Sequence, residues 1–184
     1  MIEKLGKDVL DTINTYGNFP KEGVKFVDIL PVLQNNDLLN RIISYWKSLC
    51  ENYKIDAIVA PESRGFLFGS ILAHEMDIPF IPIRKSGKLP GKLISTASQS
   101  EYSTEVLEMQ VLGENFSGKT VCLADDIIAT GGTMKSMIEL IRSNGLNVPL
   151  VLHILSVKGL NELQLEGTVP GTDIKYYTLC EFEE

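Results

Sequence analysis

The chain has little of what three large functional classes need. Its 184 residues carry 17 Lys and Arg against 24 Asp and Glu, a formal charge of −7. A general nucleic-acid binder needs a basic footprint to neutralise phosphates, so this balance argues against one. It leaves room for a small basic pocket taking a small polyanion. Cysteines are few: Cys50, Cys122 and Cys180, an odd number, widely spaced, with no Cys-x-x-Cys pair. That excludes a disulfide framework and fits reduced, buried thiols in a cytoplasmic compartment. There are only two histidines, His74 and His153, far apart in the chain. A structural zinc site needs about four clustered nitrogen or sulfur ligands, so none is expected, and both histidines are read as satisfied interior or surface residues. No apolar run approaches the ~20 residues that span a bilayer. The charged start Met1-Ile2-Glu3-Lys4 leads into no apolar stretch, so no secretory signal is expected. Repeats, heptads and long low-complexity tracts are also absent. What remains is 44% apolar residues, enough for one core, and a single domain over 1–184.

Two stripes at helical spacing come first: Ile2, Leu5, Val9, Leu10 and Ile13, then Leu38, Leu39, Ile42, Ile43, Trp46, Leu49 and Cys50. Asn36 or Asp37 is suited to cap the second helix. Short apolar runs then alternate with helical stretches. Strands are expected at 55–60, 78–83, 106–111, 120–124, 148–157 and 176–179, with helices at 65–76 and 131–143, the latter ended by Gly145. Such alternation predicts an α/β fold whose central, mainly parallel sheet is covered by helices on both faces. Residues 84–104 resist the scheme. They hold Gly87, Pro90, Gly91 and seven Ser or Thr, show no apolar period, and set Arg84, Lys85, Lys88 and Lys92 against Glu101 alone. They read as a long loop, either an anion-binding lid or a solvated connector.

Gly113-Glu114-Asn115-Phe116-Ser117-Gly118-Lys119-Thr120 fits the P-loop expression. A P-loop must open directly into a helix whose amides hold the phosphates. Here Lys119 leads instead into the β-favouring run Val121-Cys122-Leu123-Ala124, so the match is set aside.

That run is the informative one. It continues Asp125-Asp126-Ile127-Ile128-Ala129-Thr130-Gly131-Gly132-Thr133. A buried strand delivers two carboxylates, and a Thr-Gly-Gly-Thr turn then opens a helix. Ligands of open α/β sheets bind at strand C-termini. Glycines let backbone amides approach an anion, threonines add hydroxyl donors, and the helix dipole favours negative charge. The carboxylates can accept hydrogen bonds from vicinal hydroxyls. Together these describe a site for a phosphorylated sugar.

The stretch resembles the phosphoribosyl-pyrophosphate (PRPP) signature of the type I phosphoribosyltransferases. Three further segments narrow the resemblance to the family's adenine-using branch. Residues 19–29, Phe-Pro-Lys-Glu-Gly-Val-Lys-Phe-Val-Asp-Ile, are similar to its N-terminal hood. Glu62-Ser63-Arg64-Gly65-Phe66-Leu67-Phe68-Gly69 resembles its pyrophosphate loop. Arg84-Lys85-Ser86-Gly87-Lys88-Leu89-Pro90-Gly91, with Glu101-Tyr102 beyond, resembles its basic lid. The four motifs stand in family order and cover nearly the whole chain.

The resemblance implies a type I phosphoribosyltransferase fold, with an N-terminal helix and hood over 1–34 and a mobile lid loop over 84–104. It implies purine salvage: adenine and PRPP give AMP and pyrophosphate, with Mg²⁺ bound mainly through substrate oxygens, in a cytoplasmic homodimer. Asp125 and Asp126 would hold the ribose hydroxyls, and Ala129, Thr130, Gly131, Gly132 and Thr133 the 5-phosphate. Ser63 and Arg64 would face the pyrophosphate, a cis peptide being common at Glu62–Ser63. Arg84, Lys85 and Lys88 would add charge there, with Arg84 reaching a neighbouring subunit, and Tyr102 would help close the lid. Adenine would stack between Phe26 and Ile127, its edge read by the backbone at Lys25 and Val27. The family commonly has arginine where this chain has Val27. Glu101 is the implied general acid/base, with Arg64 beside it in the catalytic set. The alternatives are a transferase for another purine base and a non-catalytic PRPP-binding regulator.

Overall fold

A computed structural model describes residues 2–99, 104–161 and 163–183. Glu101 and Tyr102 therefore lie outside the described residues. The elements run α1 (Ile2–Thr12), β1 (Asn14–Gly17), β2 (Lys25–Asp28), a short 3₁₀ turn, α2 (Asn36–Glu51), β3 (Ala57–Pro61), α3 (Arg64–Glu75), β4 (Phe80–Lys85), β5 (Leu93–Gln99) and β6 (Thr104–Gln110). After a second 3₁₀ turn come β7 (Thr120–Ile128), α4 (Gly132–Ser143), β8 (Asn147–Val157), β9 (Glu166–Thr168) and β10 (Lys175–Phe182).

Eight strands form one sheet in the order β5-β6-β4-β3-β7-β8-β10-β9. The inner five, β4-β3-β7-β8-β10, are parallel. The outer strands β6, β5 and β9 join antiparallel. Period-two alternation along the inner strands feeds two cores. Cys122 and Ala124 of β7 join Trp46 and Ile42 of α2 and Phe68 and Leu72 of α3 on one face. Val121 and Leu123 join Met137, Leu140 and Ile141 of α4 on the other. All five residues of β3 are buried, as a strand covered on both faces requires. The α/β expectation from the apolar runs is borne out.

Within the segment expected to form the hood, β1 and β2 make a separate two-stranded sheet, in register Asn14↔Asp28 to Gly17↔Lys25. α2 starts one residue earlier than its sequence suggests. Asn35 is the cap, its Oδ1 accepting the Leu38 amide at 3.1 Å, so the caps read at Asn36 and Asp37 are corrected. The set-aside P-loop match does not open into a helix: after a 3₁₀ turn at Glu114–Phe116, Lys119 bonds Asp56 at 2.9 Å and Thr120 enters β7.

The expectation of one irregular loop over 84–104 is corrected. β4 reaches Lys85, and Leu93–Gln99 is a strand paired with β6 from Leu93↔Gln110 to Gln99↔Thr104. Its composition misleads because β5 is the outermost strand, where polar side chains are tolerated and a two-sided apolar pattern is not needed. α4 packs on it, with Ser136 Oγ donating to Ala97 O at 3.2 Å. β7 also runs four residues past its expected end, so Asp125 and Asp126 belong to the strand itself.

Candidate functional site

A cavity of about 550 Å³ opens at the C-terminal ends of β3 and β7, the place where a parallel sheet offers helix N-termini and loop amides together. It is lined by Ser63, Arg64, Lys85, Asp125, Asp126, Ile127, Ala129, Thr130, Gly131 and Thr133 among the residues singled out in the sequence, and by Glu62, Glu105, Met134 and His153 among others. The turn after β7 closes in a left-handed residue, Gly131 at φ +78°, which directs the chain into α4. Asn161 fixes that turn from outside: its Nδ2 donates to Ala129 O at 2.5 Å and to Ser156 Oγ at 3.2 Å.

Asp125 Oδ1 accepts the Asp126 amide at 2.8 Å. Burial of its carboxyl, then the charge of Asp126, push Asp125 well above the usual carboxylate range. α3 can start close beside it only because residue 65 is glycine. A Cβ there would stand 2.7 Å from Pro61 Cδ and 2.8 Å from Asp125 Oδ1. One turn later Gly69 seats the helix on Ala60, whose Cβ would lie 2.8 Å from an added methyl.

The cations around the cavity are paired. Arg64 Nε lies 2.7 Å from Asp126 Oδ2, its NH1 donates to Val27 O at 3.3 Å, and its guanidinium lies 5.4 Å from the centre of the Phe26 ring. So Arg64 ties the paired-carboxylate strand to β2. Arg84 Nε lies 2.5 Å from Glu62 Oε2 and its NH1 donates to Lys88 O at 3.1 Å. Glu62 Oε1 also accepts the Lys85 amide at 3.1 Å. Burial pushes the Glu62 carboxyl up, but the Arg84 and Lys85 hydrogen bonds outweigh it and hold the group below its ordinary value. Lys85 Nζ reaches Glu105 at 2.7 Å. The Glu62–Ser63 peptide is cis.

The structure thus gathers Ser63, Arg64, Lys85, both aspartates, Ile127 and the phosphate-type turn around one space. Gly132 follows as the first residue of α4. Arg84 and Lys88 stand behind that wall, bonded to each other through the Lys88 carbonyl. Lys25, Phe26 and Val27 do not line the cavity; Lys25 Nζ sits 4.9 Å over the Phe182 ring, and Phe19 meets Phe26 edge-on at 5.0 Å. Among the described residues no group of three His, Cys, Asp or Glu could hold a metal.

The sequence assigns no role to Glu62, Glu105 or Asn161, and it reads His153 only as a satisfied or surface residue. Glu62 was the lone acid beside the Ser-Arg-Gly loop, a signal that could have been used. His153 was the lone ionisable residue in a buried strand. It is 1% exposed, its Nδ1 has no partner among the described residues, and burial lowers it to about 3; the expectation that it would be satisfied is corrected. Glu105 and Asn161 carried no local signal, since their partners lie 20 and 32 residues away.

The family model of the phosphoribosyl transferase domain matches residues 31–157. The adenine phosphoribosyltransferase of Mycoplasmopsis fermentans is 41% identical over 175 residues, covering 95% of this chain and 99% of that one. That of Clostridium botulinum is 39% identical over 156 residues, covering 83% and 90%. Among solved structures, the Thermoanaerobacter pseudethanolicus adenine phosphoribosyltransferase superposes with a TM-score of 0.83 at 33% identity, covering 96% of this chain and 99% of that one. The Saccharomyces cerevisiae enzyme, complexed with adenine and an imino-altritol bisphosphate, gives 0.82 at 33%, covering 96% and 98%.

Proposed function

The chain belongs to the adenine phosphoribosyltransferase family, within the type I phosphoribosyltransferases, and we propose that the cavity at the end of β7 is where its reaction runs. It transfers the phosphoribosyl group of PRPP to adenine, releasing AMP and pyrophosphate. The observation that carries the site assignment is the join of Asp125, Asp126 and the Ala129–Thr133 turn to the N-terminus of α4, opposite a wall bearing Arg64 and Lys85.

In this reading the turn amides and the hydroxyls of Thr130 and Thr133 hold the 5-phosphate, with Gly131 and Gly132 allowing close approach. Asp125 and Asp126 accept the ribose hydroxyls. When Asp126 takes up a hydroxyl, Arg64 is released from its ion pair and is free to turn with Ser63 toward the diphosphate. Lys85 acts from the β4 side, and Arg84 and Lys88 add longer-range charge. Adenine stacks on Phe26 and Ile127, its edge met by the backbone at Lys25 and Val27, so Arg64 must give up the Val27 carbonyl as the base enters. The purine nitrogen bonds to the anomeric carbon as the bond to the diphosphate oxygen breaks, and Glu101 accepts the ring proton while Tyr102 helps to cover the site. Positioning and charge stabilisation do most of this work.

Among the described residues the carboxylates form no cage of their own, and Asp126 is engaged by Arg64. That suits a Mg²⁺ held chiefly by ribose and diphosphate oxygens, with Asp125 and Asp126 acting on the hydroxyls; when bound, the cation would neutralise charge on the leaving diphosphate. No helix among the described residues is long and apolar enough to cross a membrane, and three buried free thiols support a cytoplasmic placement. A homodimer is proposed from the family likeness, to be checked by light scattering.

A pyrophosphate-release assay with PRPP, Mg²⁺ and each purine in turn tests the reading. Adenine should be preferred over hypoxanthine and guanine by at least about 10²-fold in kcat/KM, because mispaired polar groups in a base site carry a large penalty. Comparable efficiency with a 6-oxopurine would overturn the base assignment.

A further inference from the structure

Glu105 lines the cavity, yet nothing in the reaction uses it. Its place follows from sheet register. Lys85 of β4 stands opposite Leu107 of β6, so Glu105, two residues back on the same face, is its diagonal neighbour. From there Glu105 Oε1 meets Lys85 Nζ at 2.7 Å, the only hydrogen bond its side chain makes among the described residues. Compare the other two carboxylates that hold cations here. Glu62 also fixes the Lys85 amide, and Asp126 belongs to the strand that carries the ribose site. Both have structural or substrate duties. Among the described residues Glu105 has one partner, and that partner is a cation assigned to the diphosphate.

We infer that Glu105 sets the strength of anion binding at Lys85: its carboxylate occupies the ammonium in the free protein and must be displaced by the incoming diphosphate. The inference rests on the assignment of Lys85 to the diphosphate. The pair is about half exposed, 53% on the Lys85 side chain and 38% on that of Glu105. Exposed pairs of this kind hold weakly, so a multiply charged diphosphate displaces the carboxylate readily. Glu105 thereby lowers the affinity of any anion that needs Lys85 and speeds release of the pyrophosphate product, since it stands ready to retake the ammonium.

The experiment measures dissociation constants of magnesium-free pyrophosphate and of orthophosphate by calorimetry at low ionic strength. It uses the wild-type chain, Glu105→Gln, Glu105→Asp, Lys85→Gln and the double variant, each checked for folding by thermal melt. Glu105→Gln should bind pyrophosphate about three- to fivefold tighter and orthophosphate tighter by no more than that factor. Glu105→Asp should return toward wild type. The effect should vanish in the Lys85→Gln background and shrink as salt is raised. If Lys85→Gln weakens pyrophosphate binding but Glu105→Gln leaves it unchanged or weaker, the inference fails and the diphosphate assignment stands. If Lys85→Gln itself changes nothing, the assignment of Lys85 fails first.

Discussion

Asp125 and Asp126 are neighbours in sequence but differ in what holds them. Asp125 is kept by a backbone amide and by burial, which raises its affinity for a proton, while Asp126 has the Arg64 guanidinium. A carboxyl whose folded pKa is raised binds protons more tightly in the native state. Its contribution to stability is therefore complete below the unfolded value near 4 and is lost as pH rises through the folded pKa. At neutral pH an ionised Asp125 is a burden on the fold. Asp125→Asn keeps the oxygen that accepts the Asp126 amide and removes the charge. It should melt higher than wild type at pH 7.5, with the difference shrinking toward pH 4, while KM for PRPP rises about tenfold or more. Asp126→Asn should instead lower the melting temperature, because Arg64 loses its partner. Melts across pH beside PRPP kinetics separate the two. The adjacent aspartates and the following turn were legible in the sequence because strand, acids, glycines and helix start are contiguous. The Glu62–Arg84 pair was not, because it depends on 22 residues of intervening chain and on how β3 registers with β4.

Among the elements, α3 shows how one helix can be seated by two glycines with different consequences. An alanine at 65 would press on both Pro61 and Asp125, whereas one at 69 would press on Ala60, below the cavity. Each should cost about 1–3 kcal/mol by overpacking. Gly65→Ala should in addition lower kcat/KM for PRPP by more than tenfold, and Gly69→Ala should leave the kinetics of the folded protein near wild type. Equal kinetic losses in the two variants would mean that Asp125 is not positioned through Gly65. Buried strands and amphipathic helices were readable because burial writes a period into sequence. β5 was not, since Ser95, Thr96, Ser98 and Gln99 on an outermost strand look like loop composition. The three-residue β9 was too short to register.

Across the whole molecule the stability curve should carry the mark of His153. Burial depresses this imidazole to about 3, so its contribution is intact above the ordinary value near 6.5 and is lost as pH falls toward 3. Over that window roughly 4–5 kcal/mol at most is at stake. His153→Gln, uncharged throughout, should flatten the acid limb of a denaturation-versus-pH profile; an unchanged acid limb would mean the group is not held neutral. The sheet's two rims bear on the molecule's behaviour in company. β9 offers only three residues, and on β5 the carbonyl of Ala97 is already taken by Ser136 beneath α4. Among the described residues β9 is too short to guide a stranger's strand, so the seven-residue rim of β5 is the longer backbone edge, and its polar Ser95, Thr96 and Ser98 are what blunt it. Strand-to-strand growth in a crowded solution of the folded protein would therefore start from β5 rather than β9.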